Sequence, residues 1–285
     1  MTQIADYNVD QTYSAKVRRT MRLTPEDTEE VREIVLEVLD PDFECQINQS
    51  FGVLVRTSDL FGKMHQHRLY SVADVPKREN GNQVITLLVR RCDYVDEFSG
   101  ELYKGVCSNH LCNLREGDLL TITGPYEMAF QIPSSNTANI LMIGIGTGIA
   151  PFRAFTKSLY GQYADWKGKV RLYYGANSGL EMLYLNDAKG DLTNYYDQKS
   201  FEAFKAVSPR PKWADPIALD EVLESQAEEI KEMLASSNTY VYVAGHERLR
   251  HNMDKAFTTI MGSWEDWLSR KAELIAGNKW AEIIY

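Results

Sequence analysis

Residues 140–155 read I-L-M-I-G-I-G-T-G-I-A-P-F-R-A-F, and this stretch restricts the fold more than any other. Its first four residues form a continuous apolar run, which suits a strand buried on both faces of a sheet. Gly144, Gly146 and Gly148 follow at every second position, leaving main chain that a large group can approach closely. Pro151 fits the first turn of a helix, where its missing N–H is no loss, and Phe152, Phe155 and Leu159 recur at helical spacing. A strand that feeds a helix through glycines presents free N–H groups and a positive dipole end to an anion. A tight turn without any ligand would read the same way, and Pro151 stands at the sixth position, where the usual dinucleotide fingerprint has glycine. The flanking sequence has to decide.

A chain of 285 residues has room for two domains of ordinary size, and 44% apolar residues suffice for two cores. Lys and Arg total 31 against 40 Asp and Glu, a formal charge of −9. This balance argues against nucleic acid or an anionic membrane surface as the main partner. Cys45, Cys92, Cys107 and Cys112 form no C-x-x-C pair and show no zinc or iron–sulfur spacing, so no metal site is expected. The first ten residues are acidic and lack an apolar signal core. No apolar run approaches the ~18 residues that span a bilayer. A soluble, cytoplasmic protein with reduced thiols is the expectation.

Before residue 137 the pattern is that of short strands. Residues 13–23, 29–38, 51–55, 68–72, 84–91 and 119–123 alternate or are rich in β-formers, and turn clusters such as 77–82 and 116–118 separate them. Short strands at this spacing predict a closed antiparallel β-barrel. Two places in it carry chemistry. Arg68, Tyr70 and Ser71 put a cation, a ring and a hydroxyl into one strand, either as an edge strand with polar residues or as a surface for a planar, phosphate-bearing group. In G-V-C-S-N-H-L (105–111), Ser108 is a good N-cap and Leu111 begins an apolar face. A short helix starting there needs no ligand, yet its N-terminus would also seat an anion.

From residue 137 strands alternate with helices. Strands are predicted at 140–143, 170–174, 203–207, 240–244 and 280–285, and helices at 219–234, 247–261 and 264–276. The pattern implies a doubly wound, five-stranded parallel sheet, with ligands beyond the carboxyl ends of its strands. That edge carries 144–148, Gly175, Ala176 and Asn177, then Ser208, Pro209 and Arg210, and finally 245–247. The domains are therefore expected at 1–136 and 137–285.

R-L-Y-S, then K-G-V-C-S-N-x-L-C, G-T-G-I-A-P-F-R and V-Y-V-A-G, ending on an aromatic residue, occur in this order over 13–285. In that combination the chain resembles the plant-type ferredoxin–NADP reductase family. The resemblance implies FAD in the barrel and a nicotinamide dinucleotide on the sheet. It makes Arg68 the grip on the FAD pyrophosphate, Tyr70 the ring that stacks on the isoalloxazine, and Ser71 the donor near the hydride-accepting nitrogen. Gly105, Val106, Cys107 and Ser108 would cradle the pyrophosphate, with Leu88 and Arg90 beside the cofactor and Tyr94 stacked on its adenine. Thr147 and Gly148 would lie beneath the nicotinamide and its phosphates, near Gly175 and Ala176. Tyr285 would cover the other flavin face until nicotinamide displaces it, which makes Ser71 and Tyr285 the catalytic candidates. Ser208, Arg210 and Lys212 would meet a 2′-phosphate, with Trp213 on the adenine, favouring NADP(H) over NAD(H).

Three departures stand out. Ala244 occupies a position where the family often has cysteine, Ile283 one where the plant enzymes have glutamate (Glu282 lies one place off), and S-P-R-P-K-W is shorter and stiffer than the family's phosphate loop. The resemblance implies an FAD-dependent NADPH oxidoreductase that exchanges electrons with ferredoxin or a flavodoxin-like carrier. An acidic carrier would need a basic rim, for which Lys63, His65, His67, Arg90, Arg91, Arg153 and Lys157 are candidates. The alternatives are a reductase component feeding an oxygenase and a non-catalytic flavin subunit or cofactor sensor.

Overall fold

The computed structural model describes residues 7–56, 65–96, 98–128, 130–163, 165–213 and 215–285. Two compact units divide them: Met1–Met128 with Arg153–Lys157, and Ala129–Phe152 with Ser158–Tyr285.

The first unit is built from β1 (Thr12–Arg22), β2 (Val31–Val38), β3 (Gln49–Arg56), β4 (His65–Ser71), β5 (Lys77–Glu79), β6 (Asn82–Arg90), β7 (Asp93–Val95), β8 (Leu102–Lys104), α1 (Val106–Asn113) and β9 (Leu119–Glu127). Seven strands form one sheet in the order β4-β3-β9-β1-β2-β6-β5, antiparallel throughout. Alternate side chains of the strands, among them Val17, Ile34, Leu36, Phe51, Val53, Ile85, Leu87 and Ile122, join Cys107 and Leu111 of α1 in a single core. Strands that share one core must curl around it, which gives the barrel. Its hydrogen-bonded order ends at β4 and β5, so among the described residues the ladder is open there rather than closed.

The turn cluster at 77–82 proves to be partly strand. Lys77–Glu79 pairs with β6 across a two-residue turn at Asn80 and Gly81, whose φ angles are 52° and 87°. An Asn-Gly pair tolerates this left-handed turn and thereby zips a hairpin out of a polar segment that shows no apolar alternation. The β7–β8 hairpin stands apart from the main sheet. All six of its strand residues are exposed, so its sequence carries no burial pattern.

The second unit is a parallel sheet in the order β12-β11-β10-β13-β14, with β10 (Asn139–Ile145), β11 (Val170–Ala176), β12 (Phe201–Val207), β13 (Thr239–Gly245) and β14 (Trp280–Ile284). Its helices are α2 (Ile149–Gln162), α3 (Leu219–Ser225), α4 (Ala227–Ala235), α5 (Arg248–Met261) and α6 (Trp264–Ala276). Residues 140–144 of β10 are fully buried at the sheet centre, as the apolar run predicts. The expected single helix over 219–234 is instead two. The hydroxyl of Ser225 donates to the Val222 carbonyl at 2.7 Å, and Gln226 leaves helical geometry at φ −112°, ψ 25°. A local side-chain bond of this kind competes with the backbone ladder. Ser263 caps α6 by accepting the Asp266 N–H at 3.1 Å. No helix among the described residues is long and apolar enough to cross a membrane.

The chain leaves β10 for β11 on one side and later returns to β13 on the other, so β10 and β13 form the switch point of the sheet, where ligands bind in folds of this type. All five tryptophans lie beyond residue 160, so their emission reports on the second unit alone. Ile143→Ala, at the buried centre of β10, is expected to cost about 2–5 kcal/mol. A lower urea midpoint followed by tryptophan emission would register it.

Candidate functional site

In the first unit, β4 and the start of α1 lie side by side, and the Cys107 thiol reaches the Gln66 carbonyl at 3.5 Å. Arg68 and Tyr70 occupy alternate positions of β4, opposite Val53 and Phe51 of β3, and so point to one face. Arg68 is exposed, and its guanidinium donates to the His67 carbonyl at 2.9 Å. Tyr70 packs against the barrel core. Burial first, and then the neighbouring thiols of Cys107, Cys112 and Cys92, push its phenol above the ordinary value, so it remains a neutral ring. Ser71 follows at the strand end, half-buried opposite Ser50.

Helix α1 begins one turn earlier than its sequence suggests. Gly105 is the N-cap, with no side-chain cap bond, and Ser108 lies inside the helix. The Ser108 hydroxyl accepts the Cys92 N–H at 3.1 Å and is 3.2 Å from the Gly105 carbonyl. Asn109 donates to the Cys92 and Gly105 carbonyls at 3.1 and 3.0 Å. Cys92 and Asn109 thus hold the turn rigidly, and neither is signalled by sequence, because the partners are sixteen or seventeen residues apart. A Cβ on Gly105 would meet the Cys92 carbonyl oxygen at 2.7 Å, so glycine is needed for this approach. With Ser108 spent on the loop, α1 starts without a side-chain cap among the described residues, and a helix start of that kind can seat an anion.

Leu88 is buried in β6, and Arg90 pairs with Glu29 at 3.2 Å. Tyr94 is 58% exposed and lies against Tyr103 of the paired strand, with ring centroids 5.6 Å apart and planes at 20°.

The expected basic rim is largely neutralised. Arg91 pairs with Glu30 at 2.7 Å. Arg153 is buried with Asp74 at 3.0 Å, and Lys157 meets the same carboxylate at 2.7 Å. Burial first, and Arg68 next, push the His67 imidazole below its ordinary value, leaving it neutral at pH 7. His65 is exposed, and Lys63 lies outside the described residues. Cations that already face carboxylates add little field for an acidic partner.

In the second unit the glycine turn is a 3-10 turn, Gly146–Gly148, that runs into α2 with Gly148 as its N-cap. The three glycines have different reasons. A Cβ at Gly148 would stand 2.1 Å from the Ala244 carbonyl oxygen, and one at Gly144 would stand 2.8 Å from the Phe152 ring. Those two make room for the protein itself. Gly146 takes φ 53° with open space around it, and its carbonyl accepts the Tyr174 hydroxyl at 2.9 Å. Of these three glycines, only Gly146 has open space where a Cβ would stand. Gly175 is likewise a packing residue, with Ile217 and Ile145 at 2.8 and 3.0 Å from its missing Cβ, and Ala176 is buried.

Tyr285 follows β14. Its N–H donates to the Gly245 carbonyl at 3.1 Å, and its hydroxyl is 2.6 Å from that of Thr147. The ring is 54% exposed. Ala244 is fully buried beside the turn. Glu282 does not stand in at position 283: it pairs with Arg250 at 2.6 Å and accepts the Trp280 indole N–H at 2.8 Å. Alternation along β14 turns it away from the face of Ile283.

The loop after β12 closes on itself. Ser208 is buried, and its hydroxyl donates to the Asp215 carbonyl at 2.7 Å. It is thus used for loop closure, where the resemblance implied a phosphate contact. Arg210 and Lys212 are exposed, with the Arg210 guanidinium 5.7 Å from the Trp213 ring centroid. Asp215 grips Arg210 at 2.7 and 3.4 Å. Sequence reading passed over Asp215 because it is eight residues beyond β12; the P-x-P turn folds it back.

Among the described residues no three His, Cys, Asp or Glu side chains are placed to hold a metal.

Residues 142–255 match the family described as the oxidoreductase NAD-binding domain. The chain is 34% identical over 235 residues to a ferredoxin–NADP reductase of Picosynechococcus, covering 80% of this chain and 58% of that protein. It is 30% identical over 286 residues to the chloroplastic leaf isozyme 1 of ferredoxin–NADP reductase from Oryza sativa subsp. indica, covering 98% and 78%. It thus spans less than two thirds of the length of the first cyanobacterial relatives, 58% and 62%. In fold it is similar to a ferredoxin-NADP+ reductase structure from Plasmodium falciparum, with a TM-score of 0.71 at 19% identity and 98% coverage of both chains.

The matched span includes the glycine turn. Gly148→Ala would force the Ala244 carbonyl and the start of α2 apart, costing about 1–3 kcal/mol. Tryptophan-monitored urea unfolding is expected to show the loss, whereas Gly146, with φ 53°, would lose stability on substitution through backbone strain alone.

Proposed function

Because the chain belongs to the plant-type ferredoxin–NADP reductase family, we propose that it is an FAD-dependent oxidoreductase that takes hydride from NADPH. Electrons pass to a small one-electron carrier, with ferredoxin preferred over a flavodoxin-like protein because the relatives bear the ferredoxin name. The observation that carries the reading is the pairing, in one unit, of an uncapped α1 N-terminus with Arg68 and Tyr70 on the adjacent strand. A pyrophosphate with a planar ring fits these groups: main-chain N–H donors at 106 and 107, an exposed guanidinium, and a neutral aromatic face. FAD, when bound, supplies the ability to accept two electrons together and release them singly.

The chain's own residues bind, orient and shield. Arg68 and α1 would neutralise pyrophosphate charge, since charge-assisted bonds are the stronger kind. Tyr70 offers a stacking face that stays uncharged, and Ser71 a hydroxyl at the end of the same strand. Tyr94 offers an exposed ring for adenine. In the second unit, a nicotinamide arriving at the C-terminal end of β10 meets Gly146, Thr147 and the Tyr285 ring. Tyr285 has to leave its hydroxyl bond to Thr147 to admit it. Residues beyond Val207 then receive the adenosine end. Hydride transfer needs no protein acid, so Ala244 and Ile283 are compatible with turnover, although they leave a less polar lining than the family's cysteine and glutamate. We place the protein in a reducing compartment such as the cytoplasm, in keeping with its four free thiols. The paired state of the rim cations favours weak, transient docking of the carrier.

Purified protein is expected to carry a visible flavin absorption that NADPH bleaches under anaerobic conditions, and to reduce ferredoxin faster than flavodoxin. A colourless protein that binds no added FAD would end the reading, and a yellow protein that NADPH leaves oxidised would favour the non-catalytic alternative. Tyr285→Ser removes the ring and is expected to tighten NADP+ binding about tenfold or more by ending the competition for the stacking face. Difference spectroscopy with NADP+ would read this; unchanged affinity would place the terminal ring elsewhere.

A further inference from the structure

Of the two cations expected to meet a 2′-phosphate, Arg210 and Lys212, Arg210 already has an anion. Arg210 is 65% exposed, and Asp215 holds it with Nε–Oδ2 at 2.7 Å and a second contact at 3.4 Å. The described residues of the loop 208–215 are tied to one another and to Asn177, just beyond β11. The Ser208 hydroxyl donates to the Asp215 carbonyl at 2.7 Å, the Ser208 N–H donates to the Asn177 carbonyl at 3.2 Å, and the Trp213 N–H donates to the Arg210 carbonyl at 2.9 Å. Pro209, Pro211 and Pro216 limit its freedom further. These contacts hold the carboxylate beside the guanidinium.

We propose that Asp215 is a specificity-determining residue: the resident counter-ion of Arg210, which a 2′-phosphate must displace and which a bare ribose 2′-hydroxyl need not. This rests on the reading that the loop receives the adenosine end of the coenzyme. An exposed ion pair is weak and opens readily to a dianion. Once opened, the carboxylate remains beside the phosphate, and like charges at that range repel. A ribose lacking the phosphate can instead donate its hydroxyl to the same carboxylate, leaving Arg210 paired. Asp215 thus lowers the affinity for the 2′-phosphorylated coenzyme and supports the other, narrowing the discrimination that Arg210 and Lys212 would impose alone. Trp213, 76% exposed and 5.7 Å from the guanidinium, offers either coenzyme the same ring, so it contributes nothing to the difference.

The test uses the full chain and two ligand fragments, 2′-phospho-AMP and 5′-AMP, with binding read by calorimetry. Asp215→Asn keeps the shape of the side chain, and the Ser208 bond goes to the backbone carbonyl, so the loop is retained. Expected is a gain of about tenfold or more in 2′-phospho-AMP affinity, with 5′-AMP affinity unchanged or weaker. The gain should shrink in the Arg210→Ala background, where only the repulsion between carboxylate and phosphate is left to relieve. If Arg210→Ala weakens 2′-phospho-AMP but Asp215→Asn leaves it unchanged or weaker, Asp215 is not the counter-ion that sets the preference, while the loop remains the phosphate site. If neither substitution moves either ligand, the loop does not receive the adenosine end, and both readings fall.

Discussion

The close approach of the Ala244 carbonyl to Gly148 is the constraint on which the second unit depends. β10 and β13 are parallel neighbours, with Gly144 paired to Ala244. A helix that starts directly beyond β10 must therefore thread past the end of β13. With a missing Cβ only 2.1 Å from the carbonyl oxygen, no side chain can stand there. The helix N-terminus then lies at the strand ends, where its dipole favours an anion. Gly245, at φ 150°, and the Tyr285 N–H bonded to its carbonyl complete the same edge.

The first unit reaches an equivalent arrangement by different means. There the corresponding turn joins a hairpin to α1 and is held by Ser108 and Asn109 on the Cys92 and Gly105 backbone. Both turns place glycine at the helix N-cap, with no side-chain cap. Side-chain hydroxyls at such positions usually cap the helix; here Ser108 and Ser208 are spent on closing loops, and the recognising groups are main chain and guanidinium. Rigid loops with unspent donors are what a phosphate site requires, because ordering costs are already met by the protein.

The departures from the family are local. Ala244 and Ile283 replace polar side chains by small or apolar ones, and Glu282 is drawn into a network with Arg250, Trp280 and Lys271 on the helical side of β14. One residue of register along a strand is a change of face. An acid one place away in sequence is therefore not an acid one place away in space. The basic residues that were candidates for a rim behave similarly: in space Glu29 pairs with Arg90, Glu30 with Arg91, and Asp74 with Arg153 and Lys157.

Periodicity and turn chemistry were enough to read the strands of the barrel, the parallel sheet and the glycine turn from sequence, because each element buries a face and so leaves a period in the chain. The resemblance supplied Arg68, Tyr70, Tyr94, Arg210 and Tyr285 as candidates, since local motifs carry them. What has no period was invisible: the exposed β7–β8 hairpin, the break at Gln226, and the helix start at Val106. Beyond reach as well were the partners that side chains find across long stretches of chain, such as Ser108 with Cys92, Thr147 with Tyr285 and Arg210 with Asp215. Which hydroxyl is free and which cation is already paired depends on distances that only folding creates, so the sequence determined the scaffold and its candidate groups, and the tertiary structure decided which of them remain available to a ligand.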